Sequence, residues 1–246
     1  MSAFTYFISD LHLCAERPDI SQCLFTFLQE QAVHAEALYV LGDLFEAWIG
    51  DDDLSEFNLS IADAFKTLAG SGVKIYFIHG NRDFLVRNQF AQRAGFTLLP
   101  EQIVVDLYGT PTLLMHGDEL CTRDVVYQKF RRKARGWWWP RLVLSLPLNI
   151  RRKIAESGRK TSKKNHAKLT MDIMDVTPED VVKAMESHKV TRLIHGHTHR
   201  PAIHPLNVNG QAAERIVLGD WYDQGSILKV SKESRELINY KFHPLA

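Results

Sequence analysis

Residues 37–43 read Ala37-Leu38-Tyr39-Val40-Leu41-Gly42-Asp43, a run of strand length that stops on a glycine and a carboxylate. The same arrangement stands on either side of it. Thr5 to Ile8 runs into Ser9-Asp10-Leu11-His12, and Lys74 to Ile78 runs into His79-Gly80-Asn81-Arg82-Asp83. Between these strands, Ile20 to Gln31 and Phe57 to Leu68 carry apolar residues at helical spacing, Leu24, Phe27 and Leu28 among them. Alternating strand and helix patterns are the signature of β-α-β units and of a sheet covered on its faces, which predicts an α/β fold. In such sheets ligand sites gather at the carboxyl ends of strands, where all three polar clusters stand.

Further along, Ile103 to Leu107, a Tyr108-Gly109-Thr110-Pro111 turn and Thr112 to Met115 read as a hairpin leading into His116-Gly117-Asp118, so the sheet becomes mixed. Residues 124–176 break the pattern. Val126, Phe130 and Ala134, then Leu142, Leu146, Ile150 and Ile154, recur at four-residue steps and predict consecutive helices. Thr177-Pro178-Glu179-Asp180 is a helix start with a capping threonine, proline in the first turn and acids against the dipole. Arg192 to Ile194 forms a strand ending in His195-Gly196-His197-Thr198-His199, and Ile216 to Leu218 and Ser226 to Val230 predict a closing β meander. The expected organisation is a core of residues 1–122 and 177–246, interrupted by a helical cap over 123–176.

A chain of 246 residues fits one large domain with an insertion. Three cysteines, Cys14, Cys23 and Cys121, argue against a disulfide framework and for a reducing compartment. No signal-peptide pattern opens the chain and no stretch has the roughly 20 apolar residues of a membrane span, so a cytoplasmic or peripheral protein is expected. The formal net charge of +1 hides an asymmetry. Residues 123–168 hold fifteen of the 30 Lys and Arg against only Asp124 and Glu156, which leaves an acidic body and a cationic segment suited to an anionic partner.

The strand-end clusters supply Asp10 and His12, Asp43, Asn81, His116, and His197 with His199. Residues two apart on an extended backbone project to the same side, so each closely spaced pair can serve one cavity. Glycines at 42, 80, 117 and 196 adjoin these residues and allow the backbone to approach ions closely. Carboxylate, amide and imidazole donors without cysteine suit Mn, Fe or Zn rather than a structural zinc site. A carboxylate such as Asp43 would bridge two cations, with a hydroxide between them as nucleophile. Taken singly, an Asp-x-His or a Gly-Asp at a strand end is more often a turn or a cap. Five clusters in series, each at a strand end, favour the metal reading.

Asp10-x-His12, Gly42-Asp43, Gly80-Asn81-Arg82-Asp83, His116-Gly117-Asp118 and Gly196-His197-Thr198-His199 together resemble the calcineurin-like metallophosphoesterase superfamily, across nearly the whole chain. The resemblance implies a four-layer αββα sandwich and two metal shells. One would comprise Asp10, His12, Asp43 and His199, the other Asp43, Asn81, His116 and His197. Asn81, Arg82 and His116 form the expected catalytic set. Many members carry histidine where this chain has Arg82; arginine cannot act as a general acid near neutral pH, but its fork can neutralise phosphate charge.

A narrower resemblance lies in the long stretch Leu41-Gly42-Asp43-Leu44-Phe45-Glu46-Ala47-Trp48-Ile49-Gly50-Asp51-Asp52 and in Ile194-His195-Gly196-His197-Thr198-His199-Arg200-Pro201. It is to bacterial hydrolases that split the pyrophosphate of a nucleotide-linked diacylated glucosamine into UMP and lipid X during lipid A synthesis. It implies two Mn2+ ions and a peripheral position on the cytoplasmic face of the inner membrane. It also implies substrate contacts from Asn81, Arg82, Asp124, Ser162, Asn165, Lys168 and His197.

Trp137-Trp138-Trp139-Pro140 followed by Leu142 to Leu148, flanked by basic residues, exceeds what packing short helices requires and fits an anionic membrane surface. Single-stranded nucleic acid is the rival partner, and a dinuclear phosphodiesterase acting on nucleic acid or another nucleotide is the rival function. Lipid is favoured because these tryptophans adjoin aliphatic side chains. A non-catalytic scaffold would not need a complete donor set. No obligate protein partner is expected.

Overall fold

The computed structural model describes residues 3–166, 173 and 175–242, with the side chains of 161–166 outside the description. Its strands are β1 (Phe4–Ile8), β2 (Ala37–Val40), β3 (Lys74–Phe77), β4 (Phe96–Leu98), β5 (Gln102–Leu107), β6 (Thr110–Met115), β7 (Arg192–His195), β8 (Ala202–Val208), β9 (Gln211–Val217), β10 (Gly225–Ser231) and β11 (Arg235–Tyr240). Its helices are α1 (Pro18–Glu30), α2 (Glu56–Gly70), α3 (Asn88–Ala94), α4 (Val125–Ala134), α5 (Trp139–Leu144), α6 (Leu148–His166) and α7 (Pro178–Ser187).

The strands form two sheets, one ordered β11-β10-β1-β2-β3-β4 and the other β5-β6-β7-β9-β8. The layers follow from the two-residue period of each strand. Tyr6 and Ile8, Leu38 and Val40, and Ile75 and Phe77 point to one side, where Leu24, Phe27, Ile61, Phe65 and Phe90 of α1, α2 and α3 cover them. Their neighbours Phe7, Tyr39 and Leu41 point the other way and meet Leu114, Ile194 and Ile216 of the second sheet. On the far side, Leu113, Met115 and Leu193 pack against Val181 and Met185 of α7. The result is the expected αββα stack. Each fully buried aliphatic or aromatic side chain contributes roughly 1.5–3 kcal/mol, so a one-residue slip in any central strand would cost several of these at once.

Four expectations change. The closing strands are not one meander, because β8 and β9 pair as a hairpin in the second sheet whereas β10 and β11 pair in the first. The polypeptide crosses between sheets at residues 218–224, where the Trp221 backbone N–H reaches the Asp10 carbonyl at 3.3 Å. Second, β8 was hidden by Pro205, which a central strand would not tolerate; β8 is an edge strand, where the missing N–H is harmless. Third, Thr177 does not cap α7 with its side chain. Its hydroxyl lies 2.7 Å from that of Thr122 instead. Fourth, the turn between β5 and β6 is the two residues Tyr108 and Gly109, both at positive φ, with Thr110 and Pro111 already in β6.

Among the described residues between β6 and α7, the regular elements are helices α4, α5 and α6. Asp124 caps α4 by accepting the Tyr127 backbone N–H at 2.8 Å. Arg135 donates to the carbonyls of His79 and Gly80 at 3.1 and 2.9 Å, and Arg151, almost fully buried, donates to Ile49 O and to Asp52, both at 2.7 Å. No helix among the described residues is long and apolar enough to cross a membrane.

Candidate metal centre

The carboxyl ends of β1, β2, β3, β6 and β7 converge. The loop after β1 lies along the loop after β2, with backbone hydrogen bonds from Asp10 to Gly42, His12 to Asp43 and Leu13 to Leu44 at 3.1, 3.0 and 2.9 Å. Asp10, His12, Asp43, His197 and His199 all hold left-handed backbones, with φ of 55, 50, 52, 69 and 56°. The expectation that an extended backbone aims each pair into the cavity is therefore corrected. Left-handed residues coil the loops back across the strand ends, and this curvature, not the strand pleat, brings both side chains of a pair together. Aspartate and histidine tolerate that region better than most residues, at a cost on the order of 1 kcal/mol each. Five such residues in one site mark strain held in place by the surrounding sheet. Gly42 is required by contact as well as by its φ of +88°: a Cβ there would stand 2.5 Å from Gly80 N and 2.7 Å from His116 Nδ1.

All seven residues anticipated as ligands lie in this region. Candidate ligand atoms of Asp10, His12 and His199 lie within 4.8 Å of one another, as do those of Asp10, Asp43 and His116. Asp43 reaches both groups through different oxygens, with Oδ2 3.9 Å from His12 Nε2 and Oδ1 3.7 Å from His116 Nε2. Asn81 Oδ1 is 3.0 Å from His116 Nε2. The His197 ring stands 5.0 Å from that of His116, centroid to centroid, and its backbone N–H donates to Asp10 Oδ2 at 2.8 Å.

The donors fit divalent cations. Asp10 is wholly buried, and its Oδ2 accepts Ser9 Oγ–H and His197 N–H, while Oδ1 makes no well-formed hydrogen bond and has only His199 Nε2 beside it, at 3.4 Å. A carboxylate oxygen buried without a donor is costly unless a cation meets it. Carboxylate, amide and imidazole atoms without thiolate are the chemistry of Mn, Fe or Zn ions.

The electrostatics are those of a site arranged around positive charge. Burial alone would raise the Asp10 carboxyl, but contact with His199 and the charges of His116 and His12 hold it below the ordinary carboxylate range. Burial would lower His199, yet Asp10 and Asp220 push it up to about 10. His197 falls to about 3 through burial and the neighbouring His116, so it is a neutral donor at physiological pH. Asp83 rises to about 7 through burial and repulsion from Asp43. Its two oxygens accept Gly80 N–H and Leu44 N–H, both at 2.7 Å, which ties the loops after β2 and β3 together.

Arg82 stands beside these groups. Its backbone N–H donates to Asp43 Oδ1 at 2.8 Å, and its buried Nε has no partner. On the α4 side, Tyr127 stacks on His197 at 6.0 Å and donates its hydroxyl to buried Asp118 at 2.5 Å. Asp118 would be raised by burial, but His116, Arg135 and Arg131 bring it well below the usual range.

The sequence reading passed over Glu46, Asp220, Tyr127 and Tyr222, which all touch candidate ligands. Glu46 Oε2 is 3.1 Å from His12 Nδ1, and Asp220 Oδ2 is 3.0 Å from His199 Nδ1. Tyr222 stacks on His12 at 5.8 Å. Glu46 follows Asp43 by three residues and could have been found; Asp220 and Tyr222 sit in an irregular segment whose proximity only the tertiary fold creates. Of the anticipated substrate contacts, Asn81, Arg82, Asp124 and His197 are described, whereas Lys168 and the side chains of Ser162 and Asn165 lie outside the described residues.

Residues 5–201 match the calcineurin-like phosphoesterase family. The chain is 52% identical over 238 residues to a UDP-2,3-diacylglucosamine hydrolase of Escherichia coli O7:K1, covering 97% of this chain and 99% of that protein. It is 53% identical over 236 residues to a protein of the same name from Salmonella arizonae, covering 96% and 98%. Among solved structures, a novel archaeal phosphodiesterase aligns over 96% of this chain and 99% of its own at 14% identity, with a TM-score of 0.49. By the match over most of its length and by the end-to-end identity with those relatives, the chain belongs to the calcineurin-like phosphoesterase family and, within it, to the UDP-2,3-diacylglucosamine hydrolases.

Proposed function

We propose that this protein hydrolyses the pyrophosphate of a UDP-linked 2,3-diacylated glucosamine by water attack on the α-phosphorus. The products are UMP and the diacylated glucosamine 1-phosphate, lipid X, in the synthesis of lipid A. The observation that carries this reading is the juxtaposition of two features that rarely meet. A buried cluster of carboxylate, amide and imidazole donors stands next to helices that expose their apolar side chains. Val126 is 71% exposed and Trp137 78%, with Phe130 and Leu142 half exposed, on a segment rich in Lys and Arg. A polar anhydride and acyl chains in one molecule would use both.

In this reading Asp10, His12, Asp43 and His199 hold one divalent ion and Asp43, Asn81, His116 and His197 the other, both manganese. When bound, the ions supply a water nucleophile at neutral pH and shield the phosphate charge. Arg82 presents an unpaired N–H beside Asp43 and neutralises charge that develops on the phosphoryl oxygens. His116 is oriented by its Nδ1, 2.8 Å from the Leu41 carbonyl, so Nε2 faces the site. The leaving group is a phosphate monoester, a weak base, and departs without the general acid that Arg82 cannot provide.

Residues 123–176 act as a cap that contacts the nucleotide and sugar through Asp124, Ser162, Asn165 and Lys168. The exposed apolar face and basic residues hold the protein on the cytoplasmic surface of the inner membrane. The decisive assay offers the diacylated UDP-sugar with Mn2+ in 18O-labelled water. UMP carrying the label is the expected product. Release of inorganic phosphate alone, or label found only in the lipid phosphate, would overturn the reading.

A further inference from the structure

The two halves of the centre are not backed alike. In the half formed by Asp10, His12 and His199, each imidazole turns its Nδ1 to a carboxylate, Glu46 at 3.1 Å and Asp220 at 3.0 Å. Their Nε2 atoms then face inward, 3.4 Å apart, with His199 Nε2 also 3.4 Å from Asp10 Oδ1. In the other half, His116 turns its Nδ1 to a neutral carbonyl, Leu41 O at 2.8 Å, and the remaining donors are the amide of Asn81, His197 and the carboxylate of Asp43 that both halves share. An imidazole that donates its N–H to a carboxylate is held in one tautomer and is a stronger Lewis base than one that donates to a carbonyl.

We infer that Glu46 and Asp220 are positioning residues that act through His12 and His199 to make the Asp10 half the tighter of the two cation sites. The inference rests on the metal reading proposed above. Neither carboxylate needs to touch the ion or the substrate. Glu46 arrives from the loop after β2 and Asp220 from the crossover between the sheets, so the fold supplies one backing group from each side of the cavity. The second half, in which no described carboxylate hydrogen-bonds an imidazole Nδ1, keeps its ion more loosely and more electrophilic.

The test is titration of the metal-free full-length protein with Mn2+, followed by calorimetry and by electron paramagnetic resonance of bound manganese. Two binding steps of unequal affinity are expected. Glu46→Gln and Asp220→Asn, which keep shape and remove charge, should each weaken the tight step by roughly ten- to a hundredfold and leave the loose step within about twofold. Asn81→Ala should do the reverse. Nitrogen-15 chemical shifts of labelled histidine, recorded with diamagnetic Zn2+ bound, should show the Nδ1–H of His12 moving in Glu46→Gln and that of His199 in Asp220→Asn, a change that loss of packing alone would not produce. Glu46→Asp, with a shorter reach, should recover part of the affinity.

Failure of the metal reading is seen separately. If the unaltered protein takes up no manganese, or Asp10→Ala takes it up unchanged, the centre itself is wrong. If the unaltered protein binds and Asp10→Ala does not, while Glu46→Gln and Asp220→Asn keep the tight step at full strength, the positioning role is overturned.

Discussion

The loops at the strand ends and the helices between β6 and α7 depart from ordinary burial in opposite directions. In the loops Asp10, Asp43, Asp83, His116 and His195 are almost wholly buried, although charged and imidazole groups normally remain in water. On the helices Val126, Phe130 and Leu142, and between α4 and α5 Trp137, are half or more exposed to solvent. Each inversion costs stability. The loops gather donors suited to cations, and the exposed apolar side chains suit an apolar surface. Loops and helices are held to one another by ionic fasteners, Arg135 on the Gly80 loop and Arg151 on Asp52 and Ile49, and by Trp139, Val143 and Leu144 of α5, which pack against the core beneath the first sheet.

The largest expected effect lies in the loops. Asp43→Asn should lower turnover by roughly a thousandfold or more, because the carboxylate shared by both halves loses its charge. Metal-free protein carrying this change should nevertheless melt no lower than the unaltered protein, since the repulsion that raises Asp83 is gone. A fall in melting temperature without loss of activity would break the view that these charges serve catalysis at the expense of stability.

A smaller effect is expected in the helices, and it should separate cleanly. Replacing Trp137 and Trp138 by alanine should weaken binding to anionic phospholipid vesicles by roughly ten- to a hundredfold, with hydrolysis of a short-chain soluble substrate within about twofold. Thermal stability should be preserved, because both side chains are largely or partly exposed. Vesicle binding that does not change, measured by co-sedimentation, would return the exposed face to an ordinary surface.

The fasteners should respond least. Arg151→Met leaves the Ile49 and Leu146 carbonyls without their donor and should cost about 1–3 kcal/mol, read by chemical denaturation. The Asp52 carboxyl is held below its ordinary 3.8 by the Arg151 hydrogen bond. A depressed folded value means that the stabilisation is present above that pH and is lost as the pH falls further, so the gap between the variant and the unaltered protein should narrow below about pH 4. A gap constant down to pH 3 would show that the carboxylate contributes nothing to the fastening.

Much of this architecture was readable before any coordinates. Apolar runs of strand length, each stopping on Asp, Asn or His, named the central strands and the seven candidate ligands, while the four layers came from the family resemblance. They did so because catalytic loops at strand ends interrupt hydrophobic periodicity abruptly. The edges were not readable. β8 carries Pro205 and leaves Ile203 more exposed than His204, and β11 opens on Arg235 and Glu236, since an edge strand is specified by what it must avoid as much as by what it buries. The Thr177 cap was a fair reading of a local pattern that a neighbour, Thr122, overrode.

By itself the sequence determined the fold class, the order of the clusters and the kinds of donor atom, because periodicity and residue chemistry are local properties. Only the tertiary structure decided that the chain crosses between sheets after β9. It also decided that left-handed backbones turn the donors inward and that Glu46 and Asp220 stand behind two of the histidines. Those facts concern distances between segments far apart along the chain, 34 residues for Glu46 and His12 and 187 for His12 and His199. Such distances are set by how layers pack, which no local pattern encodes.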